Sequence, residues 1–364
     1  MKAIDARYVD TSRDMSVSEK MSIWMDCLKG IAILGIVGFH FFGDRTPSLA
    51  AAATSVGGGG DHLLAVARSV FLQATHFGGQ GIHIFFFLSG YGLSLSEAKA
   101  TLPPRKFLLR RVSRLYPAFF VALLFVVALQ LITRQASLGP VYLEQILANL
   151  FLVRNFSSEW IRTVNGNWWF VAAIIPMYFV HIGLRRYYLA RPLLWLGIAY
   201  LISISYKVII SVALDKNIIQ FDAGILNPYT AFFLNFWWIF IAGMAAQRLG
   251  LFNKLIGLDT KKLLLLMLVG ALLELPGILL GYSLTGRIFN DDFFAVAQIC
   301  MMSALVIMMF PLQKLMHPIR VIGASSYGIY LIHHPLSKTI IFFFPGISSI
   351  FQACALFVVY FLVC

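Results

Sequence analysis

The sequence predicts an all-α, polytopic membrane bundle of about ten transmembrane helices with both termini in the cytoplasm, on three observations. Of 364 residues, 59% are hydrophobic and only 12% charged, against about 25% charged in ordinary soluble domains. Mean hydropathy is +0.80, so too little polar surface exists to cover a soluble core of this size. Runs of about 20 apolar residues, the length that crosses a bilayer's hydrocarbon, recur along the chain. Finally, the basic residues are distributed unevenly between the intervening loops.

Taken in order, the apolar runs place spans at roughly 22–43, 76–95, 115–133, 167–184, 193–213, 228–247, 263–281, 293–311, 322–341 and 347–363. Residues 1–21 read as a polar cytoplasmic segment and 22–364 as one membrane domain. No cleavable signal peptide is expected, since no apolar core precedes Ile23. The stretch 63–75 is apolar but short, and either extends the second helix or lies along the surface. Only a turn near Pro345 and Gly346 separates the last two spans.

With the N-terminus inside, most of the 29 Lys and Arg residues fall on inner segments, including the cluster from Lys99 to Arg114. Short cytoplasmic loops are enriched in this way. The net charge of +13 is therefore a topology signal. Nucleic-acid binding would need a basic folded domain, and no soluble stretch is long enough to form one. The outer loops differ in chemistry. Gly57 to Gly60 predict a flexible loop. Residues 134–166 form the longest loop and lead into Asn167, Trp168 and Trp169, aromatics that suit an interfacial belt or a sugar-stacking platform. Cys27, Cys300, Cys354 and Cys364 lack the paired spacing of a zinc or redox centre and read as small hydrophobes. No metal is expected.

Ionisable residues inside membrane helices are costly and are functional candidates by default. In the first helix Lys29 and His40 are eleven positions apart, close to three turns. They share a face, roughly 16 Å apart along the axis. Asp26, one turn before Lys29, is placed to pair with it. The second helix runs the other way through His83 and Ser89. With the first span ending and the second beginning at the outer surface, His83 lies within roughly 6 Å of His40 in depth and Ser89 near Lys29, which is consistent with one polar channel. A histidine can take a proton from a hydroxyl near neutral pH; a buried histidine also serves simply to bond another helix. For Lys29 the plainer role is snorkelling to the inner interface.

Two further segments carry chemistry. Arg111 and Arg114 are one helical turn apart and can grip a single phosphate-bearing anion with paired guanidinium groups, although a basic inner cluster also arises from topology alone. Late in the chain, Tyr330 and His333 share a helix face ahead of Pro335, which would bend the helix.

These four segments, in this order and over most of the chain, resemble the acyltransferase family 3 membrane proteins. The family's Arg-Gly pair followed by a His at fixed spacing is matched by Lys29, Gly30 and His40, with Lys in place of Arg. Its second-helix pattern is matched from Gly81 to Gly90, with His83 where Asp is common. Its Arg-x-x-Arg-hydrophobic-Tyr-Pro is matched by Arg111, Arg114, Tyr116 and Pro117, and its late Ser-Tyr segment by Ser326 to His333. The chain departs from many members after Trp168, where Trp-Phe-Val-Ala-Ala carries no carboxylate. No fused esterase-like domain is expected.

The resemblance implies transfer of an acyl group, usually acetyl from acetyl-CoA, to a hydroxyl of a surface glycan or lipid-linked glycan. An exopolysaccharide or lipopolysaccharide unit, handled at a bacterial inner membrane, is the leading acceptor class. On that reading the CoA phosphates dock at Arg111 and Arg114, and the pantetheine arm passes Lys29. His40 acts as general base or transient acyl carrier. Lys29 positions the donor or stabilises oxyanion charge. His83, Ser89, Tyr330 and His333 complete the lining. Membrane lipid is the only other expected partner. The rival readings are a polysaccharide exporter or flippase, and an inactive membrane scaffold.

Overall fold

Helix-forming signals mark the start of several runs. Pro104, Pro140 and Pro192 occupy first helical positions, where a missing N–H costs nothing. Asp259 and Ser283 cap two more helices by accepting from Lys262 N and Gly286 N, at 2.9 and 3.0 Å. In a computed structural model, which describes residues 15–43, 77–219, 228–281, 283–343 and 350–364, the outcome is a helical bundle with no strand among the described residues. The Gly57–Gly60 loop, the 63–75 stretch and the Pro345–Gly346 turn lie outside the described residues.

The principal helices are α1 (Val17–Gly43), α2 (Gly81–Lys99), α3 (Pro104–Ile132), α4 (Pro140–Leu150), α5 (Trp169–Ala190) and α6 (Pro192–Asp215). They continue as α7 (Trp237–Arg248), α8 (Thr260–Leu280), α9 (Leu284–Met308), α10 (His317–Ala324), α11 (Ser326–Phe343) and α12 (Ile350–Val363). Every expected span overlaps one of them. Six segments among the described residues are long and apolar enough to cross a membrane by length and composition: α1, α3, Gly166–Ala190 (which adds a short 3-10 turn to α5), α6, α8 and α9. Helix α8 shows why lipid is their solvent. Leu265, Leu268, Leu272 and Leu279 stand exposed along it, an apolar stripe that hydrocarbon tolerates and water does not.

Small residues set the helix crossings, as they do where lipid removes the hydrophobic drive between helices. A Cβ on Gly90 would collide with the Phe240 carbonyl oxygen, and one on Gly243 with that of Phe87, so α2 and α7 cross backbone to backbone. Helices α1 and α2 are antiparallel, with Gly35 facing Gly78 just ahead of α2, and Ala32 facing Gly81. That register corrects the expected depths. It sets His83 level with Gly30, about ten residues or roughly 15 Å deeper than His40. Helix α1 runs on to Gly43, eight residues past the level of Gly78.

The 134–166 loop is a folded structure in its own right. Helix α4 packs back on α3, with the Tyr116 hydroxyl donating to Leu150 O at 2.5 Å and the Tyr142 hydroxyl donating to Gln130 Oε1 at 2.7 Å. Arg154 is fully buried; its guanidinium donates to Asn149 Oδ1 and Asn165 O, both at 2.6 Å, and to Ile161 O. Trp168 is also fully buried. Its indole N–H donates to Leu331 O at 3.0 Å, which rules out both the interfacial belt and the sugar platform for this residue. It pins the loop to α11 instead. Helix α11 itself continues through Pro335.

Candidate active site

A cavity of about 860 Å³ opens between α1, α2, α3, α5 and α11, within the size range of ligand sites. It gathers five of the expected site residues: Lys29, Ser89, Arg111, Arg114 and Tyr330. Arg110 joins them, one residue from Arg111 and four from Arg114 on α3. Position on the helix explains the grouping. Arg111 and Arg114 sit seven and ten residues beyond Pro104, roughly 10 and 15 Å up α3, and both turn toward α5 and α11.

The charges in this cavity are unevenly balanced. Lys29 Nζ donates to Asp26 Oδ1 at 2.7 Å, as its spacing predicts, so its charge is largely answered within α1. Among the described residues, none of the three arginines has a carboxylate partner. Arg111 lies over the rings of Phe107 and Tyr178, 5.3 and 5.4 Å from their centroids. Cation–π contacts hold a guanidinium in place without neutralising it. The three guanidinium groups thus give this end of the cavity a positive charge that no described carboxylate answers.

Beyond Tyr330 the cavity's lining meets a histidine cluster. The Tyr330 ring lies 5.9 Å from His333, and the His40 ring lies 5.3 Å from His333 and 5.2 Å from His334. His333 is buried and both its ring nitrogens are engaged. Nδ1 faces Tyr330 O at 2.8 Å and Ile329 O at 3.2 Å. Carbonyls only accept, so Nδ1 carries the proton. Nε2 is then the acceptor for Asn167 Nδ2, at 3.2 Å. The Tyr330 hydroxyl donates to Asn167 O, and the Tyr360 hydroxyl to His333 O at 2.6 Å. His40 has no such hydrogen bonds among the described residues, and its side chain is only partly buried. Unlike His333, His40 has no ring nitrogen committed to a described hydrogen bond.

His83 stands apart. Six positions separate it from Ser89, which turns it about 120° away from the cavity face. It does not line the cavity. Its Nε2 lies 3.6 Å from Asp291 Oδ1, in a polar region between α2 and α9. Nearby, Lys207 of α6 bonds Asp292 of α9, and Asp292 also accepts from Trp238 Nε1 at 2.9 Å. Gln298 Nε2 donates to Glu274 Oε1 at 2.6 Å. The single channel expected from the sequence is therefore two polar regions on opposite faces of α2. Sequence reasoning missed the contact of Asn167 with His333 and the closeness of His334 to His40. The dense Asn165–Trp169 run was the available signal, but composition alone cannot show that Asn167 turns inward onto α11.

An apolar helical bundle whose spans are long enough to cross a bilayer, with an arginine-lined cavity leading toward histidines, describes an integral membrane protein. The chain belongs to the Acyl_transf_3 family, described as an acyltransferase domain, whose model matches residues 22–364. It is a membrane acyltransferase. No curated protein and no solved structure matches the chain.

Proposed function

We propose that this acyltransferase moves an acetyl group from cytoplasmic acetyl-CoA to a hydroxyl of a surface polysaccharide, an exopolysaccharide or lipopolysaccharide unit, at a bacterial inner membrane. The observation that carries this reading is the continuity from the arginine-lined cavity through Tyr330 to His333 and His40. A phosphate-rich donor suits Arg110, Arg111 and Arg114, because guanidinium groups bind phosphate oxygens bidentately. Its thioester end then extends past Lys29 and Ser89 toward the histidines.

At the histidines, a ring nitrogen of His40 takes the proton as the acceptor oxygen attacks the thioester carbonyl. The new C–O bond forms, the C–S bond breaks, and the departing sulfur is protonated as CoA. His333 cannot be that base while Asn167 holds its Nε2, so it supports the ring beside it. The separation along α1 also divides two roles proposed for Lys29. About 16 Å from His40, Lys29 suits donor positioning rather than oxyanion stabilisation at the same carbonyl. His83 falls outside this path.

The test compares the O-acetyl content of surface polysaccharide in cells carrying the normal protein, His40→Ala at equal expression, or neither. Acetylation should require the chain and be lost with His40→Ala. Full acetylation by His40→Ala would remove the catalytic assignment. Unchanged acetylation with blocked polymer export, on deletion, would replace the enzyme by an exporter.

A further inference from the structure

The cavity holds one feature that anion binding does not use. Glu97, in the last turn of α2, lines it although its other charged lining groups, Lys29 and three arginines, are basic. The side chain is 3% exposed. One carboxylate oxygen, Oε1, is flanked by His181 Nε2 and Arg185 Nη1, each at 3.7 Å. The other, Oε2, is buried without a hydrogen-bond partner. A buried carboxylate oxygen left without a donor is costly unless a ligand supplies one.

Its position says which part of a ligand arrives there. Arg185 Nη1 also donates to Leu102 O at 2.5 Å, which ties Glu97 to the α2–α3 connection, at the end of the cavity remote from Tyr330. Arg111 and Arg114 lie further in, up α3. A CoA ester with its phosphates at the arginines and its thioester toward His40 therefore leaves its adenosine at Glu97. The ribose bears a phosphate, which a carboxylate repels. The exocyclic amine of adenine is the hydrogen-bond donor farthest from any phosphate.

We infer that Glu97 is a specificity residue that accepts a hydrogen bond from the exocyclic amine of an adenine nucleotide, held for that task by Arg185 and His181. This rests on the donor reading above and adds to it: the site selects the base as well as the phosphates. A base with a carbonyl in place of the amine would set oxygen against oxygen. The Arg185 guanidinium and the His181 ring hold Glu97 through Oε1, while Oε2 stays free for the ligand.

The experiment measures binding of CoA, and of its deaminated analogue carrying hypoxanthine, to the full chain in lipid nanodiscs by calorimetry. The normal protein should favour CoA by about tenfold, the scale of one hydrogen bond to a charged group. Glu97→Gln, nearly isosteric, should bring the two affinities together, since its amide can meet either an amine or a carbonyl. Equal binding of both ligands by the normal protein, or an undiminished preference in Glu97→Gln, would overturn the assignment and leave the donor reading intact. Failure of the folded normal protein to bind CoA at all would overturn both.

Discussion

On one face of α2, three arginines border an open cavity with no acidic partner among the described residues, and His40 stands beside it with no described hydrogen bond. On the opposite face, the charged groups meet partners within the protein, although Glu274 Oε2 and Asp292 Oδ2 keep no hydrogen bond of their own. Lys207 and Trp238 bond Asp292, Gln298 bonds Glu274, and His83 faces Asp291. Burying a charge is costly unless it is paired, and on the cavity face Arg110 and Arg114 are exposed and Arg111 half-buried. Where a bundle matches its charges internally the network supports packing; where it leaves them unmatched beside a void, a ligand is the missing partner. Mutations on the two faces should accordingly separate into those that alter reaction and those that alter stability.

The largest effect is expected at His40. His40→Ala should lower acetyl transfer by about 10²- to 10⁴-fold, the usual contribution of a general base, with thermal unfolding in detergent essentially unchanged. A matched loss of activity and unfolding temperature would instead assign His40 to packing. Next comes Lys207→Met on the matched face. Removing one partner of a buried pair typically costs about 3–5 kcal/mol, and Lys207 and Asp292 are 3% and 11% exposed. The unfolding midpoint should fall sharply. Adding Asp292→Asn, which keeps an acceptor for Trp238, should restore most of it. If the double variant were no better than the single, the pair would not be the source of the cost.

A smaller, kinetic effect is expected on the cavity face. Arg111→Ala or Arg114→Ala should raise KM for acetyl-CoA about 10- to 100-fold, the loss of one charge-assisted bond, with kcat changed far less. A fall in kcat at constant KM would place the arginines near the chemistry instead of at the phosphates.

How much of this was readable in advance differs between the two faces for a physical reason. Apolar run length placed a helix at every expected span, and one-turn spacing predicted both the Asp26–Lys29 pair and the shared face of Arg111 and Arg114. Those are local properties of a helix. The separation of His83 from His40 is a property of how two helices register, fixed by contacts such as Gly35 on Gly78. Composition shows that glycines are present, not which ones meet. The Trp168 anchor failed to show for the same reason: an indole at a loop's end suits a membrane surface until Leu331 O is known to lie within reach. Arg154 was passed over because a loop arginine ordinarily faces water.

The smallest expected effect tests the comparison most directly, because it falls on a residue that sequence pattern places among the catalytic candidates. His83 is buried, but the carboxylate nearest it among the described pairs, Asp291, is 45% exposed, and solvent weakens such a pair to about 1 kcal/mol or less. His83→Gln keeps a polar group of similar reach. It should lower the unfolding midpoint slightly and leave acetyl transfer within about twofold of normal, as expected for a substitution outside the reacting groups. Arg114→Gln, one helix away on the cavity face, should do the reverse, raising KM at unchanged stability. If His83→Gln abolished transfer while the protein stayed folded, the two faces of α2 would have to belong to one site after all, and His83 would return to the catalytic path.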